Sequence, residues 1–316
     1  MVIDTGQHYD FELSQQFFGE FKIPKANYTL GIKESDSYIQ IAKMLESCGQ
    51  VLQKEKPDLV IVYGDTNSTL SGALASTKLR IPTVHIEAGI RSNDTNSPEE
   101  HNRKVVDALS TYLLCPTKQA VENLKKENLS GIFIGDIMLD LFNSVQDKQT
   151  LPDVNKDYYF VTIHRQENTE NIQKLLWIMK QLESLDKMVI FPIHPRTKKA
   201  LKSILFKGKN ITFVKPVSYA QSISLIKKAS FVITDSGGIQ KEAYWAKVPC
   251  ITVREKTEWP ETLKNGWNTL HIFPNQNLAK KIKNFKFPTK YDNYFGTENI
   301  SKKALSCIEK VLGSEK

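Results

Sequence analysis

From Lys56 onward the chain sets short apolar runs against helix-length amphipathic stretches in strict turn. "DLVIVYG" is followed by "STLSGALASTKL", "IPTVHIE" by "PEEHNRKVVDALS", "YLLCPT" by "KQAVENLKKEN", and "IFIGD" by "IMLDLFNSV". Parallel strands need a crossover of about a dozen residues, and these spacings supply one each time. "QDKQTLPDVNKD" then interrupts the rhythm with a polar, proline-bearing stretch that has no apolar periodicity, which marks a linker. The pattern restarts with "YYFVTIH" and runs through "MVIFPIH", "ITFVKP", "FVITDS" and "VPCITVR". The fold expected is α/β: two Rossmann-like, doubly wound domains over residues 1–145 and 156–290, with 291–316 forming a last helix that returns to the first domain. Asp65, Glu87, His164, His194 and Ser236 all fall where a strand gives way to a loop or helix. That carboxyl edge is where open parallel sheets bind ligands, so the domains are expected to face each other across a ligand cleft.

With 40% hydrophobic and 25% charged residues among 316, the chain is ordinary for a globular protein of two domains. Its formal charge of +8 favours anionic partners, but the lysines are spread over faces such as "VENLKKENL" rather than gathered in one block. An anionic small substrate is compatible with this distribution, and no nucleic acid partner is expected. The four cysteines, Cys48, Cys115, Cys250 and Cys307, are far apart and form no C-x-x-C pair, which suits reduced thiols in a cytoplasmic protein. All apolar runs are too short to span a bilayer, and the start carries Asp4 and no basic leader, so no membrane partner is expected. "MVID" already reads as a strand, as if the chain began partway through a fold.

"TDSGGIQKEA" brings Ser236, Gly237 and Gly238 to a strand-to-helix turn, where bare N–H groups and the helix dipole suit a phosphate. A Walker lysine is missing, as are G-x-G-x-x-G, G-x-S-x-G and H-E-x-x-H, so no cofactor and no metal are expected. Glu242 stands one helical turn on, either solvated or accepting from the hydroxyls of a ribose. Asp65 in "YGDTNSTLSG" is a helix N-cap or a working acid. Glu87 ends an apolar strand, where a carboxylate needs a partner; Arg91 would make it an ion pair, and otherwise it is a catalytic acid. In "NSPEEHNRK", Ser97, Pro98 and Glu100 read as a capping box, leaving Glu99 and Arg103 one turn apart as a surface pair or as a pair presented to a ligand. His164 and Arg165 in "VTIHRQEN", and His194 and Arg196 in "PIHPRTKK", are structural residues or anion contacts.

Together "TGQHYD", "GDTNST", "HIEAGIRS", "PEEHNR", "GDIMLD", "TIHRQEN", "HPRT", "TDSGGIQKEA" and "REKTEWPETL", in order from Thr5 to about Gly266, resemble the non-hydrolysing UDP-N-acetylglucosamine 2-epimerases. The resemblance implies the GT-B-like arrangement of two Rossmann domains, normally a homodimer, acting on a UDP-sugar. It assigns acid–base roles to Asp65, Glu87 and Glu99, with His164 as the family's histidine. Substrate and nucleotide contacts would fall on His8, Arg103, Arg165, His194, Ser236, Gly237, Gly238 and Glu242. The family opens with a strand and a "GTRPE"-type loop that this chain lacks, so the first strand-helix unit is expected to be missing. The "HPRT", "QKEAYW" and "TEWPETL" forms also look like the branch that epimerises UDP-2,3-diacetamido-2,3-dideoxyglucuronate. A GT-B glycosyltransferase and an inactive sugar-nucleotide binding protein are the rivals from other classes.

Overall fold

The computed structural model describes residues 1–7, 19–21, 23–145, 157–204, 206 and 208–314. His8, and all of the expected linker but Asp157, therefore lie outside the described residues. The chain divides into two compact units, Met1–Leu141 with Asn293–Lys316, and Phe142–Asp292.

In the first unit a two-stranded parallel sheet pairs β1 (Ile3–Asp4) with β2 (Tyr28–Thr29). A separate four-stranded parallel sheet has the order β3-β4-β5-β6, from Val60–Tyr63, Thr83–Ile86, Tyr112–Cys115 and Gly131–Phe133. The helices are α1 (Ser37–Glu55), α2 (Asn67–Lys78), α3 (Pro98–Leu109) and α4 (Lys118–Lys126), with α5 (Ile137–Ser144) carrying the chain across the unit boundary. β4 is buried along its whole length, as a parallel strand covered on both faces must be. Thr66 caps α2 in a reciprocal box with Thr69, and Thr117 caps α4. The closing helix Ile300–Ser314 belongs to this unit: its Ser301 amide and hydroxyl donate to Asp140 at 2.7 and 2.8 Å.

The second unit is one six-stranded parallel sheet, β12-β11-β10-β7-β8-β9. Its strands are β7 (Tyr158–Thr162), β8 (Met188–Pro192), β9 (Ile211–Val214), β10 (Phe231–Thr234), β11 (Cys250–Thr252) and β12 (Asn268–Leu270). Helices α6 (Ile172–Glu183), α7 (Pro195–Ser203), α8 (Tyr219–Lys228), α9 (Gly237–Trp245) and α10 (Leu278–Lys283) accompany it. Alternate residues of the central strands, Tyr159, Val161, Phe231 and Ile233, pack against Leu175, Met179 and Leu182 of α6 in the main core. The α/β class, with parallel sheets in both units, is thus what the chain adopts. Among the described residues, no helix is long and apolar enough to cross a membrane.

Candidate active site

In the first unit the side chains of interest gather at the carboxyl ends of β3 and β4. Thr66, not Asp65, caps α2, so the Asp65 carboxylate is not consumed by the helix and instead pairs with Arg103 of α3. Glu87 adopts the left-handed backbone region at φ 73°, uncommon for a residue with a side chain, and its amide is fixed on the Leu114 carbonyl at 3.1 Å. This turn brings Glu87 Oε2 to 3.4 Å from where a Cβ on Gly64 would stand, beside Asp65. Two carboxylates and one guanidinium thus share one sheet edge. Glu99, at the start of α3, accepts from the Ser97 hydroxyl at 2.6 Å.

Two sequence expectations fail here. Arg91 is not the partner of Glu87: it reaches Asp107 at 2.7 Å and Glu127 at 2.6 Å, because the chain reverses at Gly89 and carries the guanidinium under α3. Glu100 does not close a capping box on Ser97. It accepts from the Ser92 amide and hydroxyl at 2.7 and 2.8 Å and from the Asn93 amide at 3.3 Å, and lies 3.4 Å from Arg103. Burial would raise the Glu100 pKa, but these donors and Arg103 outweigh it and hold the group below the ordinary carboxylate range. The loop in front of the helix offered more donors than the cap, and the carboxylate followed them.

Beneath this edge lies a network that sequence reasoning missed. Asp107, fully buried on α3, takes His85 Nδ1 at 2.7 Å, the Gly89 amide at 3.1 Å and Arg91. His85 Nε2 meets the Gly64 carbonyl at 2.8 Å, tying the ends of β3 and β4 to α3. Gly89 must be glycine, since at φ +79° an added Cβ would stand 2.4 Å from the Ala120 carbonyl.

In the second unit, Asp235 directly after β10 plays the equivalent part. It is fully buried and accepts from the backbone amides of His164 at 3.0 Å and Arg165 at 2.9 Å, and from Asn168 Nδ2 at 2.9 Å. His164 Nδ1 lies 3.3 Å from the same carboxylate. The imidazole pKa is lowered, by burial first and then by Arg165 and Arg196, against the pull of Asp235. His194 caps α7 by accepting the Arg196 amide on Nδ1 at 3.1 Å, which leaves Nε2 as the donor of a neutral ring. The two imidazoles stack with centroids 5.4 Å apart.

The glycine pair stands at the strand-to-helix junction: Ser236 is the N-cap of α9, and Gly237 and Gly238 are the first two residues of the helix. At Gly237 the reason is space, not backbone torsion: a Cβ there would stand 2.3 Å from Glu258 Oε1 and 3.2 Å from Trp259 Nε1, whereas one on Gly238 meets nothing within 4 Å. The Glu258 carboxylate is held there by Arg254 and by Arg165 Nη2 at 3.1 Å. Glu242 is only 7% exposed, which removes its solvated reading. Asp107, Asp235 and Glu258 were overlooked because a buried acid looks like a surface acid in a string of letters. For Asp107 and Asp235 the signal was an acid standing among apolar neighbours, as in "VVDAL" and "VITDS".

Residues 1–309 match the family model described as UDP-N-acetylglucosamine 2-epimerase. A protein of Methanococcus maripaludis named UDP-N-acetylglucosamine 2-epimerase homolog is 43% identical, over 98% of this chain and 91% of its own length. A Pseudomonas aeruginosa protein named UDP-2,3-diacetamido-2,3-dideoxy-D-glucuronate 2-epimerase is 39% identical, over 85% and 79%. Among solved structures, the Methanocaldococcus jannaschii UDP-GlcNAc 2-epimerase in complex with UDP-GlcNAc and UDP matches with a TM-score of 0.87 at 38% identity, covering 98% of this chain and 91% of that one.

Proposed function

The chain belongs to the UDP-N-acetylglucosamine 2-epimerase family, and from that premise we propose that it inverts carbon 2 of UDP-N-acetylglucosamine to give UDP-N-acetylmannosamine by eliminating and re-adding UDP. The proton on that carbon is not beside a carbonyl, so its removal must accompany departure of UDP from the anomeric carbon. The C1–O bond breaks with its electron pair going to the diphosphate, the C2–H pair becomes the C1–C2 double bond, and a carboxylate takes the proton. Re-addition reverses these steps after protonation of the opposite face.

Two faces call for two acid–base groups, and the observation that carries this reading is that Asp65 and Glu87 end adjacent strands, with Arg103 on Asp65. Glu99 on α3 is the third candidate. The nucleotide is assigned to the second unit: Ser236, Gly237 and Gly238 at the start of α9 receive the diphosphate, with Arg165, His164 and His194 as donors and Glu242 on the ribose. Preorganised donors of this kind typically contribute about 3 kcal/mol each to the transition state. His8 is assigned to substrate by resemblance alone.

Turnover in deuterium oxide tests the proposal. The expected product and recovered substrate carry deuterium at carbon 2; recovered sugar nucleotide with protium only at that carbon overturns it. Offering UDP-2,3-diacetamido-2,3-dideoxyglucuronate in parallel decides the substrate, and a higher kcat/KM on it would move the chain to that branch. We also read the protein as a cytoplasmic homodimer, the former supported by its free cysteines. Sedimentation at twice the chain mass, and recovery with the cytoplasmic fraction, are the outcomes expected.

A further inference from the structure

β3 and β4 end in register: Tyr63 pairs with Ile86, and the next residues, Gly64 and Glu87, both turn into the left-handed region, at φ 65° and 73°. Gly64 opens the turn that carries Asp65, and Glu87 opens the other. The spacing of the two carboxylates is therefore set by how these turns are held. Glycine adopts the left-handed conformation readily and glutamate does not, so the Glu87 turn needs restraint from outside itself. Its amide and that of Ala88 share the Leu114 carbonyl, each at 3.1 Å. Further restraint comes from Asp107, which takes the Gly89 amide on Oδ2 at 3.1 Å.

A single ring ties this turn to the other. His85, two residues before Glu87, meets Asp107 Oδ1 through Nδ1 at 2.7 Å and the Gly64 carbonyl through Nε2 at 2.8 Å, and both side chains of the pair are fully buried. A carbonyl and a carboxylate can only accept, so both ring nitrogens donate. The rigid ring thereby fixes the peptide that leads into Asp65 against the carboxylate that fixes the peptide leading into Gly89. α3 closes the frame: its Asn102 donates to the Asp65 carbonyl at 2.8 Å, and its Arg103 pairs with the Asp65 carboxylate. Asp107 is itself kept in place by Arg91, whose remaining nitrogens donate to Glu127 at 2.8 and 2.6 Å.

Burying ionisable side chains is a poor route to stability, because apolar packing of the same volume commonly serves as well. What His85 and Asp107 supply is direction, through hydrogen bonds of set length and angle to atoms on two separate turns. We propose that His85 is a positioning residue for the epimerisation: oriented by Asp107, it holds the Asp65 and Glu87 turns at one spacing, so that the two carboxylates meet carbon 2 of the sugar together. The inference rests on the reading of these two as the acid–base pair. With its side chain fully buried, His85 acts only through the Gly64 carbonyl and Asp107.

The test compares the full chain with His85→Leu, which keeps no donor, and His85→Gln, which keeps one and decides the matter if the first does not fold. In steady-state epimerisation of UDP-N-acetylglucosamine, His85→Leu should lose about 100-fold in kcat, the cost of reacting groups misplaced by about 1 Å, and His85→Gln less. KM should change by less than about threefold, because the nucleotide is assigned to the second unit. Ser76→Ala controls for a merely structural effect: the Ser76 hydroxyl bonds Thr83 at 2.6 Å at the far end of β4, where both are buried. It should lower Tm and leave kcat unchanged. A kcat within about threefold of the parent in the folded His85 variants, or a loss matched by Ser76→Ala, overturns the proposal. Should the parent not exchange carbon 2 at all, the acid–base reading falls and a readout free of turnover decides the inference, 13C NMR of the side-chain carboxyls. Those of Asp65 and Glu87 should both move in His85→Gln, while that of Glu99, which accepts from Ser97, stays. An unmoved Asp65 or Glu87 resonance overturns it.

Discussion

Asp107 and Asp235 do the same work in the two units and leave opposite surfaces above them. Each is a fully buried carboxylate that gathers the loop following a strand, "HIEAGIRS" in one and "TIHRQEN" in the other. Asp107 collects a charge from within: Arg91, with 4% of its side chain exposed, and His85, with none, lie on it. The negative charge is neutralised inside the protein, and what reaches the sheet edge is carboxylate, from Asp65 and Glu87. Asp235 is satisfied mainly by neutral donors, two backbone amides and Asn168, while the His164 ring and the Arg165 guanidinium stay 34% and 28% exposed. What reaches that edge is positive. The same scaffold device yields an acid–base surface in one unit and an anion surface in the other, according to where the counter-charge is stored.

Removing the two aspartates is the strongest way to break this comparison. Asp107→Asn leaves Arg91 buried with only Glu127 and should cost about 3–5 kcal/mol in urea unfolding. Asp235→Asn keeps an acceptor for some of its neutral donors and should cost about 1–3 kcal/mol. Equal losses would show that the counter-charge does not separate them. A smaller effect sharpens the second surface. Gly237→Ala forces a carbon against Glu258 and should cost about 1–3 kcal/mol while weakening UDP binding, and Gly238→Ala should be neutral or stabilise by up to about 1 kcal/mol. If calorimetry finds UDP affinity insensitive to Gly237→Ala, the start of α9 is not the anion site.

The smallest effect is in pH. The His164 pKa is lowered in the folded protein, so as pH falls through about 6.5 the unfolded chain takes the proton first and this group subtracts stability. A diphosphate beside it has the reverse sign, raising the imidazole pKa, so UDP binding should take up protons and tighten as pH falls from 8 toward 6. Calorimetry at pH 6.5 in buffers of different ionisation enthalpy should show that uptake in the parent and not in His164→Gln.

Strand and helix placement were legible because burial writes itself into period: "LVIVY", "TVHI" and "FVIT" became β3, β4 and β10 with little change. β12 escaped notice because "NTL" is too short and too polar to stand out; its Asn268 is buried and bonded to Thr252 and Thr262 instead. Likewise Asp65, Glu87 and Ser236 were readable from their place after strands. Which donor each acid would find was not, because Glu100 chose Ser92 over Ser97 and Arg91 chose Asp107 over Glu87 through contacts that sequence distance does not encode.

The hydroxyl of Thr66 has an evolutionary consequence. By starting α2 itself, it relieves position 65 of any duty in folding that helix, and Arg103 keeps Glu100 as a second anchor. Reactivity at position 65 is therefore free to drift among descendants of this chain without reopening the question of how they fold.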